Sequence, residues 1–361
     1  GRASGALGMP AQGEQRAAAG REETMQYTKS EAKEWARAHM RGVCNVIIPS
    51  YTHDLKRLNE RAIRHDVCKN IEYKFWGALL VSEAGTTLDE MVRFMEIAVD
   101  EAKGRHHFLL HGTFDTADDV VRMAQAAERI GVSGLLLGYP NSFYPRTPQE
   151  IYDYSAYVIE RTNLATVLFA AAHWNFARLH PSGFPPDVLL QLADLPNVVA
   201  IKHEVARPGL AGFYEFWKKA RAKEILISDP LEANAPLNVE QFGMQWMGTS
   251  NYEWWGGKVP EIFAHLQDGN FDRAMELYWQ IHPARVARLN MQATFAGANF
   301  IHRYLWKYQA WLQGYSGGPL RQPAMKLADS QMRTLRQALQ AAGFEPEMAD
   351  FSEFFRGRYP E

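Results

Sequence analysis

Lys202 closes the run Val198-Val199-Ala200-Ile201-Lys202, in which every residue before it is apolar. Desolvation in such a setting favours the neutral amine, and a neutral amine condenses with a ketone to give a Schiff base. The iminium then acts as an electron sink for the neighbouring carbon–carbon bond. The competing role is an ion pair with Glu204 or Asp229 at a solvent-reached strand end. Both roles suit the run. Successive strand residues face opposite sides, so Glu204 returns to the face of Lys202 while His203 points away.

Other reactive types stand in the same kind of place, just after short apolar runs. Ser82-Glu83-Ala84-Gly85-Thr86-Thr87 combines hydroxyls, a glycine and a helix start. Backbone N–H groups and hydroxyls there suit a carboxylate, and Thr87 equally suits an N-cap. His111, Tyr139, Tyr144, His173 and Asn251 follow further runs. His111, His173, His203, Glu204 and Asp229 are types that bind zinc. No His-x-His follows the first run, however, and no His-Glu-x-x-His occurs, so the spacing for a metal site is missing. No metal and no organic cofactor is expected. Trp174, Tyr252, Trp254 and Trp255 would line a pocket for a flat or apolar ligand or form a subunit contact.

Eight short β-branched or aliphatic runs must position these residues: 43–49, 77–81, 108–111, 134–137, 165–170, 198–202, 224–228 and 244–248. Between them apolar residues recur at helical spacing, as in Met91, Phe94, Met95 and Ala98. Thr116, Thr147-Pro148 and Pro185-Pro186 mark helix starts. Near-continuously apolar strands are buried on both faces. Pro49-Ser50-Tyr51-Thr52 after the first run is no dinucleotide-binding turn. The pattern predicts a (β/α)8 TIM barrel, whose strand ends converge on one face. Segments 258–267, 271–288, 300–313 and 325–341 then read as helices only. Their aromatics, Trp279, Tyr304, Trp306, Tyr308 and Trp311, read as core or subunit interface. The expected organisation is a disordered tail at 1–24, the barrel at 25–268, a C-terminal helical extension at 269–343 and a C-terminal tail at 344–361.

Composition narrows the partners. Lys plus Arg is 39 against 41 Asp plus Glu in 361 residues. That balance excludes nucleic acid and polybasic membrane contact as expectations. The longest apolar runs fall well short of the ~20 residues of a membrane helix. Two cysteines, Cys44 and Cys68, are too few for a disulfide framework. The segment 1–24 has no aliphatic core of an export signal, and a reduced, cytoplasmic setting is expected.

At Lys202, Pro196-Asn197-Val198-Val199-Ala200-Ile201-Lys202 resembles the Schiff-base strand of the dihydrodipicolinate synthase / N-acetylneuraminate lyase superfamily of pyruvate-type class I aldolases. The stretch from Arg41-Gly42 to Pro49 resembles its opening strand. Gly317-Gly318-Pro319-Leu320-Arg321-Gln322-Pro323 resembles its C-terminal Gly-Pro-x-Arg-x-Pro segment. The resemblance spans about 41–343. Leu137-Gly138-Tyr139-Pro140 is similar to the hydratase-aldolase branch, whose members cleave arylidene-pyruvates. The resemblance implies a lyase for a pyruvate-like 2-oxo acid with an aryl or apolar substituent, assembled as a homo-oligomer (dimer or tetramer). Lys202 would form the imine. Ser82, Gly85, Thr86 and Thr87 would hold the carboxylate, with His111, Tyr139 and Asn251 completing the binding set. The family's relay tyrosine on the fifth strand is replaced by Phe169, which has no proton to give. His173 is the first choice to replace it, with Tyr144, Tyr139 and His111 behind. Two alternatives accompany this reading: a metal-dependent barrel hydrolase, and a 2-oxo acid binding protein that has lost its relay.

Overall fold

The computed structural model describes residues 25–204, 209–296 and 301–361; the expected tail at 1–24 lies outside them. Its strands are β1 Gly42–Ile47, β2 Gly77–Leu80, β3 His107–Gly112, β4 Gly134–Leu137, β5 Ala165–Ala170, β6 Val198–His203, β7 Leu226–Ser228 and β8 Trp246–Gly248. Neighbours pair in parallel in the order β7-β6-β5-β4-β3-β2-β1-β8. Across the remaining seam, the Ser228 hydroxyl donates to Gly248 O at 3.1 Å and accepts from Gly248 N–H at 3.0 Å. The result is a (β/α)8 barrel, with each strand at the run that predicted it.

All residues of β4, β5 and β6 are buried, which is why these strands show apolar runs in place of alternation. Between strands, side chains of Thr87, Thr116 and Thr147 cap the helices Leu88–Ala102, Ala117–Ile130 and Pro148–Glu160. Pro148 takes the first helical position, where its missing N–H costs nothing. The helix Ala32–His39 precedes β1. Just ahead of it, the Tyr27 hydroxyl donates to Ser133 O at 2.6 Å and accepts from Ala165 N–H at 2.7 Å. Those contacts are at the N-terminal ends of β4 and β5, which leaves the opposite rim for chemistry.

Beyond β8 come the helices Lys258–Gln267, Phe271–Gln280, His282–Ala296, Arg303–Leu312, Asp329–Ala341 and Phe351–Arg356. The single helix expected at 271–288 is two, separated at Ile281. Pro283 explains the break, because it cannot donate to the carbonyl one turn back and its ring crowds that carbonyl. The start expected at Phe300 lies outside the described residues; the helix begins at Arg303, capped by the His302 ring, which accepts from Leu305 N–H at 3.0 Å. The helix expected from Met325 begins at Asp329. A second core forms under these helices around Trp254, Trp255, Tyr308, Trp311 and Phe354. The segment 344–361, expected as a tail, packs on its own chain through Phe354. Among the described residues, no helix is long and apolar enough to cross a membrane.

Candidate active site

The C-terminal strand ends open into a cavity of about 560 Å³. Val46, Leu79 and Leu136 form its apolar floor, while His111, Phe169 and Lys202 bring chemistry to its wall. Their placement follows from register, since His111 pairs with Leu136 and Phe169 with Lys202. The far wall comes from one face of the helix His282–Ala296, where Arg285, Arg288, Leu289, Gln292 and Phe295 recur at three- and four-residue spacing. Arg303 and Trp306 of the next helix complete it.

Lys202 is buried, with Nζ 3.4 Å from Thr249 Oγ1, 3.5 Å from Glu204 Oε1 and 4.0 Å from the centre of the Phe169 ring. Burial lowers the pKa of its amine, and the Glu204 carboxylate opposes that shift. The strand's alternation sends His203 outward, where its ring stacks on Phe216 at 4.8 Å. His173 lies at the rim beside Phe169, its pKa lowered by burial. His111 is brought down to about 4 by burial, which outweighs the nearby Glu83. The imidazoles of His111 and His173 are therefore neutral at neutral pH.

Acids and cations around the cavity are mostly matched. Arg285 grips Glu232 through Nε at 2.6 Å and Nη2 at 2.9 Å. Arg303 Nη2 lies 2.5 Å from Glu83 Oε2. Burial alone would raise the Glu83 carboxyl, but Arg303 and the neighbouring histidines hold it down to about 2. Asp229 accepts from Leu231 N–H, Asn234 and Asn238. With His203 turned outward and Asp229 engaged, the five zinc-type side chains do not converge. Among the described residues, no group of three His, Cys, Asp or Glu side chains is placed to hold a metal ion.

Residues 40–342 match the profile of the Dihydrodipicolinate synthetase family. The chain belongs to that family. It is thereby an aldolase-type lyase. The 4-hydroxy-tetrahydrodipicolinate synthase of Methanopyrus kandleri is 25% identical over 317 residues, covering 85% of this chain and 97% of that protein. The corresponding enzyme of Acidothermus cellulolyticus is 27% identical over 277 residues, covering 75% and 81%. In fold, the chain resembles dihydrodipicolinate synthase from Thermotoga maritima, with a TM-score of 0.70, 18% identity and coverage of 84% and 99%. It also resembles N-acetylneuraminate lyase from Fusobacterium nucleatum, with a TM-score of 0.67, 19% identity and coverage of 84% and 98%.

Not all of the expected residues line the cavity. Lys202, His111 and His173 line the cavity. Tyr144 does not: it is 65% exposed under the Arg178 guanidinium, outside the cavity lining. Tyr139 turns its hydroxyl to Ser155 at 2.8 Å inside the helix layer. In the 82–87 loop, Ser82 Oγ donates to Thr113 O, Thr86 Oγ1 donates to Ser82 O, and Thr87 caps its helix. These hydroxyls serve the fold because the loop is short and enters a helix at once. Gly85, at φ +78°, faces Arg321 and Gln322. Asn251 is buried behind the wall between Gln309 and Arg288. Of the loop aromatics, Trp255 lines the cavity, while Trp174, Tyr252 and Trp254 spend their polar atoms on backbone carbonyls. Arg285, Arg288, Arg303 and Trp306 were missed by sequence reasoning. Their signal is the helical spacing of Arg285, Arg288 and Gln292, a polar stripe that reads equally as a solvated face.

Proposed function

We propose that this protein is a Schiff-base-forming lyase for a pyruvate-like 2-oxo acid carrying an aryl or apolar substituent, of hydratase-aldolase type. The observation that carries the reading is Lys202, a buried amine with lowered pKa facing a cavity and flanked by one carboxylate. Lys202 hands a proton to the Glu204 carboxylate and attacks the ketone carbon as the neutral amine, and the carbinolamine then loses water with that proton returned by Glu204. The resulting iminium withdraws the electron pair of the bond between the third and fourth carbons as it breaks. Water added across the double bond of an arylidene-pyruvate supplies the hydroxyl on the departing carbon, and His173, neutral at the rim, takes its proton. The aldehyde leaves, the enamine takes that proton back from His173, and water releases the 2-oxo acid from Lys202. Leu289, Phe295, Trp255 and Trp306 offer the departing substituent an apolar wall. A homo-oligomer, dimer or tetramer, belongs to the same reading, and exposed Trp279 is a surface suited to it.

The test is reduction with borohydride in the presence of pyruvate, followed by peptide mass spectrometry. A stable adduct on Lys202, abolished in Lys202→Met, is the expected result. An unlabelled Lys202 in protein that still binds pyruvate would leave a 2-oxo acid binding protein in its place. Labelling without cleavage of any arylidene-pyruvate would remove the aryl lyase assignment.

A further inference from the structure

Among the described residues, the cavity wall contains one cation that no acid neutralises. Arg288 is 8% exposed and lines the cavity from the helix His282–Ala296. Its Nη2 donates to two neutral acceptors, Ser250 Oγ at 2.8 Å and Asn251 Oδ1 at 2.5 Å, and its Nε has no partner among the described residues. The acids nearby are spent elsewhere: Glu232 on Arg285, Glu83 on Arg303, and Glu204 on Lys202. Glu253 is pushed up to about 8 by burial and stays protonated at neutral pH despite Arg288. Arg303 also has an unpartnered Nε, but its charge is met by Glu83.

A buried guanidinium without a counter-charge is costly, because its hydration is lost with nothing in return. A ligand that supplies the missing anion recovers that cost and fits the planar donor edge of an arginine. Position agrees with charge. Thr249 contacts the Lys202 amine and Ser250 holds the Arg288 guanidinium, and consecutive Cα atoms are only about 3.8 Å apart. In the 82–87 loop, the Ser82 and Thr86 hydroxyls already donate to backbone carbonyls and Thr87 caps the helix. We infer that Arg288 is the anchor for the carboxylate of the 2-oxo acid, so that substrate is bound between the barrel and the C-terminal helical layer. The carboxylate takes the part of the guanidinium that lines the cavity, and the ketone carbon beside it is presented to Lys202.

This inference rests on the imine reading, and the experiment separates the two. Trapping on Lys202 is titrated with pyruvate and with its uncharged methyl ester in the wild type, Arg288→Gln and Arg288→Lys. Half-saturating pyruvate is expected to rise about 10- to 100-fold in the Gln variant, the scale of a lost charged hydrogen bond. The Lys variant should be affected less. The ester should trap alike in all three, which also shows that the variants keep a folded site. Equal losses for acid and ester would make Arg288 a support of the turn after β8 and overturn the inference. So would an unchanged pyruvate titration. If neither compound labels wild-type Lys202, the imine reading fails, and calorimetric titration with pyruvate decides the role of Arg288 alone. Binding lost in Arg288→Gln sustains it; binding equal in both proteins, or absent from the wild type, overturns it.

Discussion

At the scale of single residues, the chemistry depends on how one amine is kept both buried and available. Phe169 gives Lys202 an aromatic face at 4.0 Å where a relay tyrosine would give a hydroxyl. That contact favours the cation, as does Glu204 at 3.5 Å, whereas burial favours the free base more strongly. In the proposed mechanism Glu204 therefore has two opposed effects: it returns the proton that expels water, and it raises the pKa of the nucleophile. Glu204→Gln is expected to slow trapping by about 10²-fold, within the range of general acid catalysis. Because the carboxylate raises the pKa of Lys202, its removal should move the acid limb of the trapping-rate profile to lower pH. A limb that stays in place, or moves upward, would show that the carboxylate does not set the amine's charge.

At the scale of elements, the 82–87 loop illustrates how a sequence motif can be occupied by structural work. Gly85 sits at φ +78°, and a Cβ added there would lie 2.7 Å from Gln322 O. Arg321 donates to Gly85 O at 3.2 Å and bridges Glu90 through two bonds of 2.6 and 2.8 Å. The loop thus clamps the C-terminal segment to the start of the helix Leu88–Ala102. Gly85→Ala is expected to cost about 2 kcal/mol or more, from left-handed strain and the close contact, seen as a lower urea midpoint. Half-saturation of Lys202 trapping by pyruvate should stay near the wild-type value. A rise for pyruvate without a rise for its ester would return the carboxylate to this loop.

Across the whole molecule, the last residues fasten the helical layer to the barrel. Phe354 is fully buried with ring contacts to Tyr304, Tyr308 and Trp311, all on or near the helix that carries Arg303 into the cavity. Gly318 N–H donates to Phe354 O at 2.8 Å, Asn59 donates to Tyr359 O at 2.6 Å, and His53 N–H donates to Glu361 O at 2.9 Å. Phe354→Ala is expected to cost about 3–5 kcal/mol, as for other large buried aromatics, measured by denaturant unfolding. A cost below 1 kcal/mol would mean that the segment is not part of the folding unit.

What the sequence determined by itself is local and periodic. Eight apolar runs, the threonine caps and the lysine ending the sixth run are decided by burial on both strand faces and by capping within a turn. From these alone the barrel, its functional rim and Lys202 follow, as does the outward turn of His203. The partners of these groups required the tertiary structure. Tyr139 and Tyr144 are near a strand end in sequence, yet one is drawn into the helix layer by Ser155 and the other is left in solvent. Arg288 comes from a helix 86 residues beyond Lys202, the difference of the two numbers, and reaches the cavity only because a proline break at Ile281 redirects the chain. Periodicity is set by neighbours along the chain and can be read from it. Which buried charge meets which is set by packing between distant segments, and no local pattern encodes it.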